Sequence, residues 1–188
     1  AASKQIFEEH MVETLELLHN HPAIVAYTIF NEGWGQFESD RMYALAKKTD
    51  STRLYDATSG WFAQQDNDFD SVHIYFGHKK PKVKERPLFL SEFGGYSYLV
   101  PKHIYSNKHY GYGTCKSSKE LLKRIEDRYE ELVLPYIEAG LCASVYTQVS
   151  DVEDEINGFY TYDRKVCKVN QQDMKVLADK IYLKLKEK

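Results

Sequence analysis

The sequence predicts an α/β fold built on a parallel sheet, and three observations predict it. Short apolar runs rich in β-branched and aromatic residues alternate with helical segments along nearly the whole chain. That order implies parallel strands joined by right-handed crossovers. The best of the runs, Ile24 to Phe30, is apolar on both faces, as a strand covered by helices is. Two runs, in "AIVAYTIFNEG" and "PLFLSEFGG", lead straight into a carboxylate followed by glycine. α/β proteins bind their ligands beyond the carboxyl ends of such strands.

Taken in order, Ser3 to Asn20 reads as a helix, with Phe7, Met11, Leu15 and Leu18 on one stripe and His21-Pro22 as its stop. Ile24 to Phe30 is the first strand. Ser39 to Lys48 is a helix with Met42, Leu45 and Ala46 facing inward. Arg53 to Thr58 is a second strand, closed by Ser59-Gly60. Ser71 to Phe76 and Pro87 to Ser91 are the third and fourth. Ser117 opens a long helix, and Glu120 three residues later completes a capping box. Leu121, Ile125, Tyr129 and Leu132 form its stripe, Pro135 predicts a kink and Gly140 an end. Leu141 to Val149 is a fifth strand, and Met174, Leu177, Ile181 and Leu185 mark a closing helix. Five strands suit an open sheet, and they are also five-eighths of a closed eight-stranded barrel.

Composition narrows the functions. The chain has 188 residues, 28% charged, with a net charge of -3, so no basic footprint for nucleic acid is present. No apolar run approaches the roughly 18 residues that span a membrane. No secretory signal is visible at the N-terminus. Cys115, Cys142 and Cys167 are odd in number and widely spaced. They show neither metal spacing nor a disulfide framework, which fits a reducing, cytoplasmic setting. No metal and no cofactor are expected. His19 and His21 form a His-x-His at a helix end, and the acidic run Asp151 to Glu155 lacks a calcium-loop pattern and reads as a solvated loop.

The chemistry lies at the strand ends. Glu32 follows the first strand and Glu92 the fourth. Between them, in "SVHIYF", His73 and Tyr75 share one face, while Val72, Ile74 and Phe76 share the other and are expected under helices. Two carboxylates on one rim suit glycoside hydrolysis, where one protonates the leaving oxygen and the other attacks the anomeric carbon or activates water. The two must start in opposite protonation states, so their surroundings must differ. A tyrosine hydroxyl beside the nucleophile can hold it and stabilise charge. Asn31 is placed to hydrogen-bond a sugar 2-hydroxyl. Trp34 and Trp61 follow strand ends and suit either a sugar face or a loop anchor. The tyrosines from Tyr96 to Tyr112 suit a sugar platform or loop packing.

These pieces together resemble glycoside hydrolase family 2, the family of β-galactosidases, β-glucuronidases and β-mannosidases. The matching stretches are "HPAIVAYTIFNEGWG", "SVHIYF", "PLFLSEFGG" and "VYTQVSDVEDEINGFYTYDRK", in the family's order and across nearly the whole chain. The resemblance implies a partial (β/α)8 TIM barrel, roughly strands four to eight, with residues 1–188 as the C-terminal portion of a catalytic domain. Upstream strands and β-sandwich domains would be absent. It implies a retaining exo-β-glycosidase, with Glu32 as acid/base on strand four and Glu92 as nucleophile on strand seven. Asn31, His73 and Tyr75 would support them. Where the family often carries a tryptophan on strand eight, this chain has "SVYTQVSD", so Tyr146, Thr147 or Gln148 would stand at the sugar.

Two other functions compete with this one. A non-catalytic carbohydrate-binding or assembly module would keep the aromatic loops but would not need two opposed acids. A flavodoxin-like domain for a phosphorylated ligand would need a glycine-rich turn at a helix N-terminus. "NEGWGQ" puts an acid where the phosphate would go. The unpaired edges near "AIVAYTIF" and "CASVYTQV" predict a homo-oligomer for the isolated chain. The expected ligand is a β-linked carbohydrate.

Overall fold

A computed structural model describes residues 2–33, 35–62, 65–77 and 79–187. The elements run α1 (Ala2–Leu18), β1 (Ala26–Phe30), α2 (Ser39–Thr49), β2 (Leu54–Thr58), β3 (Asp70–Ile74), β4 (Leu88–Gly94), β5 (Ser97–Tyr98), β6 (Thr114–Cys115), α3 (Ser118–Leu132), α4 (Leu134–Ile137), β7 (Leu141–Thr147) and α5 (Gln171–Lys186). The strands pair as β1-β2, β3-β4-β7 and β5-β6. The chain divides into two compact units, residues 1–73 with 83–91 and residues 74–82 with 92–188.

In the first unit β1 and β2 run parallel, with Tyr27 opposite Tyr55 and Thr28 opposite Asp56. Parallel strands need a crossover, and α2 supplies it. The α2 stripe buries Met42 and Ala46 completely, while Leu45 is half-buried. Leu15 of α1, Ala46 and Tyr55 form a core, with Met11, Tyr27, Ile29 and Tyr43 packed on it. The expectation that the first strand is buried on both faces is corrected. Only Phe30 is buried in β1, and Thr28 is exposed. The physical reason is pairing: β1 has β2 as its one partner among the described residues, so it is an edge strand.

In the second unit α3 opens as its capping residues predict. The Ser117 side chain accepts from the Glu120 amide at 3.1 Å. The Glu120 carboxylate reaches back one residue further than a capping box requires, to the Lys116 amide at 2.8 Å. Leu121, Ile125 and Leu132 are buried as the stripe predicts. Pro135 breaks the helix rather than bending it: α3 ends at Leu132 and Pro135 sits in the first turn of α4. A proline in a first turn loses no helical hydrogen bond, so a new helix start is the cheaper solution. In α5 only Leu177 is buried, and Leu185 is exposed. Phe76 is also exposed, contrary to its expected place under a helix; its ring meets Tyr112 edge-on at 5.0 Å. β5 and β6, two residues each, lie in the region read as one long loop.

The acidic run 151–155 is not merely solvated. Asp151 is buried, and its carboxylate takes the Lys168 ammonium at 2.6 Å and the Gly158 amide at 2.9 Å. Lys168 also donates to the Ile156 carbonyl at 2.9 Å. Burial pushes the Asp151 carboxyl up and the Lys168 ammonium down, and each charge opposes that shift in the other. The pair therefore stands only while both partners are present. Lys168→Met should destabilise the chain by about 3–5 kcal/mol, the cost of a buried charge left alone. Adding Asp151→Asn should recover part of the loss. Urea unfolding of the unsubstituted chain and the two variants measures both, and a loss below about 1 kcal/mol for Lys168→Met would contradict the buried-pair reading.

Candidate active site

Each unit presents one of the two glutamates, and each glutamate has a different hydrogen-bond partner. In the first unit Glu32 leaves the end of β1, and its Oε1 lies 2.6 Å from Nδ1 of His73 on β3. The His73 side chain is fully buried and that of Glu32 is 21% exposed, so the carboxyl is open to solvent on one side only. His73 is seated by Gly60. A side chain there would place its Cβ 2.4 Å from the imidazole, and Gly60 has a positive φ of 76°. Trp61, the next residue, is half open to solvent, with its ring 6.3 Å from that of His73. Asn31 is exposed beside Glu32. Trp34 lies outside the described residues.

Behind His73 stands a polar network that the sequence reading missed. The second imidazole nitrogen, Nε2, lies 2.9 Å from Ser59 Oγ. Asp56, inside β2, is buried and takes Asn67 Nδ2 at 3.2 Å and Ser71 Oγ at 2.8 Å. Burial holds the Asp56 carboxyl above its usual range, while the hydrogen bonds from Ser71 and Asn67 pull it back. The available signal was an acid in mid-strand in "RLYDATSG", a place where an unpaired carboxylate is untenable.

In the second unit the fourth strand runs past its predicted end at Ser91, so Glu92 lies within β4 rather than after it. The Tyr75 hydroxyl donates to Glu92 Oε2 and also lies 3.1 Å from Thr147 Oγ1 at the end of β7. Burial, followed by the hydrogen bond to Glu92, drives the Tyr75 phenol well above its usual range, so it stays a donor. Its ring stacks on Tyr112 at 3.9 Å and 11°. Gly95 lies against both rings. Of the residues proposed to replace the family's tryptophan, Thr147 is the one that touches this group. Tyr146 is buried: its ring stacks on Phe159 at 4.8 Å, meets Phe93 edge-on at 5.4 Å and lies against Gly94. Its place is in packing, unlike the sugar-facing position expected from the sequence.

The sequence profile described as "Glycosyl hydrolases family 2, TIM barrel domain" matches residues 2–138. The chain belongs to glycosyl hydrolase family 2. Among curated proteins none matches it. Solved structures of similar fold include a protein assigned as a β-galactosidase from Bacteroides fragilis (17% identity, TM-score 0.61, covering 92% of this chain and 30% of that one). A β-glucuronidase from an uncultured Clostridium is similar at 14% identity and TM-score 0.59, over 94% of this chain and 35% of that one. An FMN-binding β-glucuronidase from Faecalibacterium prausnitzii has 20% identity and TM-score 0.59, over 96% and 31%. This family 2 chain therefore spans about a third of the length of those proteins.

Gly60→Ala tests the seat of His73. An alanine must either strain its positive φ or push the ring away from Glu32, at a cost of about 1–3 kcal/mol. The expected result is a lower melting temperature together with a shifted His73 ring resonance. An unchanged melting temperature and resonance would show that the loop accepts the methyl group.

Proposed function

We propose that this chain is the C-terminal half of the catalytic barrel of a retaining exo-β-glycosidase, β-galactosidase-like, that removes terminal β-linked sugars. In this reading β1, β2, β3, β4 and β7 are barrel strands four to eight. The observation that carries it is the difference between the partners of the two glutamates. Glu32 faces an imidazole nitrogen, which can accept its proton, while Glu92 faces a phenol that only donates. A carboxyl opposite an acceptor is suited to be an acid, and a carboxylate opposite a donor is suited to be a nucleophile. Family membership supplies the reaction class that needs such a pair.

The mechanism follows from those roles. Glu92 attacks the anomeric carbon while Glu32 protonates the departing oxygen, giving a glycosyl ester on Glu92. Glu32, now a carboxylate, deprotonates a water that cleaves the ester, and configuration is retained. The Tyr75 hydroxyl steadies Glu92 before attack. Asn31, Trp61 and Trp34 are assigned to the sugar and its surroundings.

In the full-length protein, Glu92→Ala should nearly abolish turnover, and azide should restore it as a glycosyl azide of inverted configuration. Glu32→Ala should spare substrates with very good leaving groups, which need little protonation. Near-normal hydrolysis by Glu92→Ala would assign the nucleophile elsewhere.

The isolated chain is proposed to self-associate and to hydrolyse aryl β-glycosides negligibly. Val25 is 70% exposed next to the β1 edge, and Val145 and Val149 are exposed in and just after β7. Exposed apolar edges of this kind favour strand addition. Sedimentation at micromolar concentration and an aryl glycoside assay decide both; a monomer with strong turnover would overturn them.

A further inference from the structure

An acid that protonates a leaving group must lie within hydrogen-bond reach of it, so the walls nearest Glu32 decide what can leave. Glu32 stands at the apex of a three-residue turn, in which the Asn31 carbonyl accepts the Gly33 N–H at 2.5 Å. The same carbonyl accepts the Gln36 side-chain amide at 3.0 Å, which ties the following segment to the turn. Gly33 is also one wall of a pocket of about 490 Å³, lined further by Gln36, Phe37, Glu38, Arg41 and Phe62. A volume of that size suits a small-molecule ligand.

Phe62 is the anomalous member of this wall. Its backbone φ is 61°, a left-handed value that a bulky residue holds only under strain. Little burial offsets that strain, since the residue is 68% exposed. Its ring lies on Gly33, where a Cβ would come 2.4 Å from the Phe62 Cδ2. Phe37, by contrast, packs edge-on against Phe7 and Phe30 and belongs to the fold. Strain kept at an exposed ring, one residue from a reactive carboxyl, points to a ligand. The charges on the wall select its class. Arg41 is held by Glu38 at 2.6 Å and by Glu8 at 2.7 Å. Among the lining residues Glu38 and Asp40 outnumber Arg41, so the pocket does not attract an anion. An aromatic face beside amide and guanidinium donors suits a neutral pyranose. The C–H face of such a sugar meets the ring, and its hydroxyls meet the polar groups.

We propose that this pocket receives the leaving group, that the leaving group is a second, neutral sugar, and that Phe62 is the residue that selects it. The inference rests on the reading of Glu32 as acid/base. The substrate is then the β-linked end of a di- or oligosaccharide rather than an alkyl or aryl glycoside. Cleavage breaks the bond between the anomeric carbon and the bridging oxygen. That oxygen takes the Glu32 proton and departs as a hydroxyl of the sugar that rests on Phe62.

The pocket is formed wholly by residues of the first unit, so the chain itself is titrated with methyl β-glucoside, a neutral pyranose, and followed by NMR. The Gly33 amide, the Gln36 side-chain amide and the Phe62 ring signals should shift together. Phe62→Tyr, which keeps the ring, should preserve the response, and Phe62→Gly should lose it. Glycine holds a positive φ without strain, so Phe62→Gly should melt no lower than the unsubstituted chain. A lower melting temperature would mark the ring as structural and overturn the proposal. No response to the sugar also overturns it, as does a response to p-nitrophenol alone, which would make the pocket an aryl site. In the full-length protein, kcat/KM for a β-linked disaccharide is compared with that for the methyl β-glycoside of the same terminal sugar. Phe62→Gly should lower that ratio by about fivefold to tenfold, the range for one lost aromatic contact, and an unchanged ratio contradicts the assignment. The titration involves no turnover. A chain that binds the sugar, in a protein whose Glu32→Ala variant keeps full activity on poor leaving groups, would therefore defeat the acid/base reading and leave the sugar site intact.

Discussion

A carboxylate cannot be buried inside a strand without donors, because the uncompensated charge costs several kcal/mol. Asp56 sits in the middle of β2 and imposes that constraint on the first unit. The residues that satisfy it come from two places: Asn67 in the loop before β3, and Ser71 on β3 itself. Meeting the needs of Asp56 thereby fixes where β3 lies against β2, and with it where His73 stands. Ser91 on β4 joins the same network through Ser71. The small hydroxyl residues along these strands, which contribute little apolar burial, are the supports on which the position of Glu32 depends.

The second unit solves a comparable problem with rings. Glu92 is held by a phenol whose own position is fixed by stacking, and β7 is anchored beside it through Tyr146, Phe93 and Phe159. Stacked and edge-on aromatic contacts restrict a ring in two directions at once. A hydroxyl on such a ring is preorganised, so little reorganisation is needed as charge moves at its partner. The two glutamates are therefore supported by different physics, a buried polar network for one and aromatic packing for the other.

The sequence made some of this legible and hid the rest for identifiable reasons. Glu32 and Glu92 stood out because a charge after an apolar strand has no packing role. His73 and Tyr75 followed from the period of two. The limits of α2 and β2 were close because Ser39, Gly60 and the apolar spacing punctuate them. The exposure of β1 was not legible, because an apolar run does not reveal how many strands flank it. Lys168 was missed because lysine is seldom buried, and only its pairing with Asp151 makes the site tolerable. β5 and β6 are too short for any periodicity to mark them. Asp56 was missed because its donors come from residues 67 and 71, beyond a loop that carries no pattern.

The stack between Tyr75 and Tyr112 has a consequence for motion. Tyr112 belongs to the segment between β5 and β6, whereas Tyr75 follows β3 and holds Glu92. With the rings 3.9 Å apart and Gly95 filling the space beside them, neither can tilt alone. The segment and the phenol are geared together. Any displacement of the Tyr112 ring therefore bears on the phenol that holds Glu92.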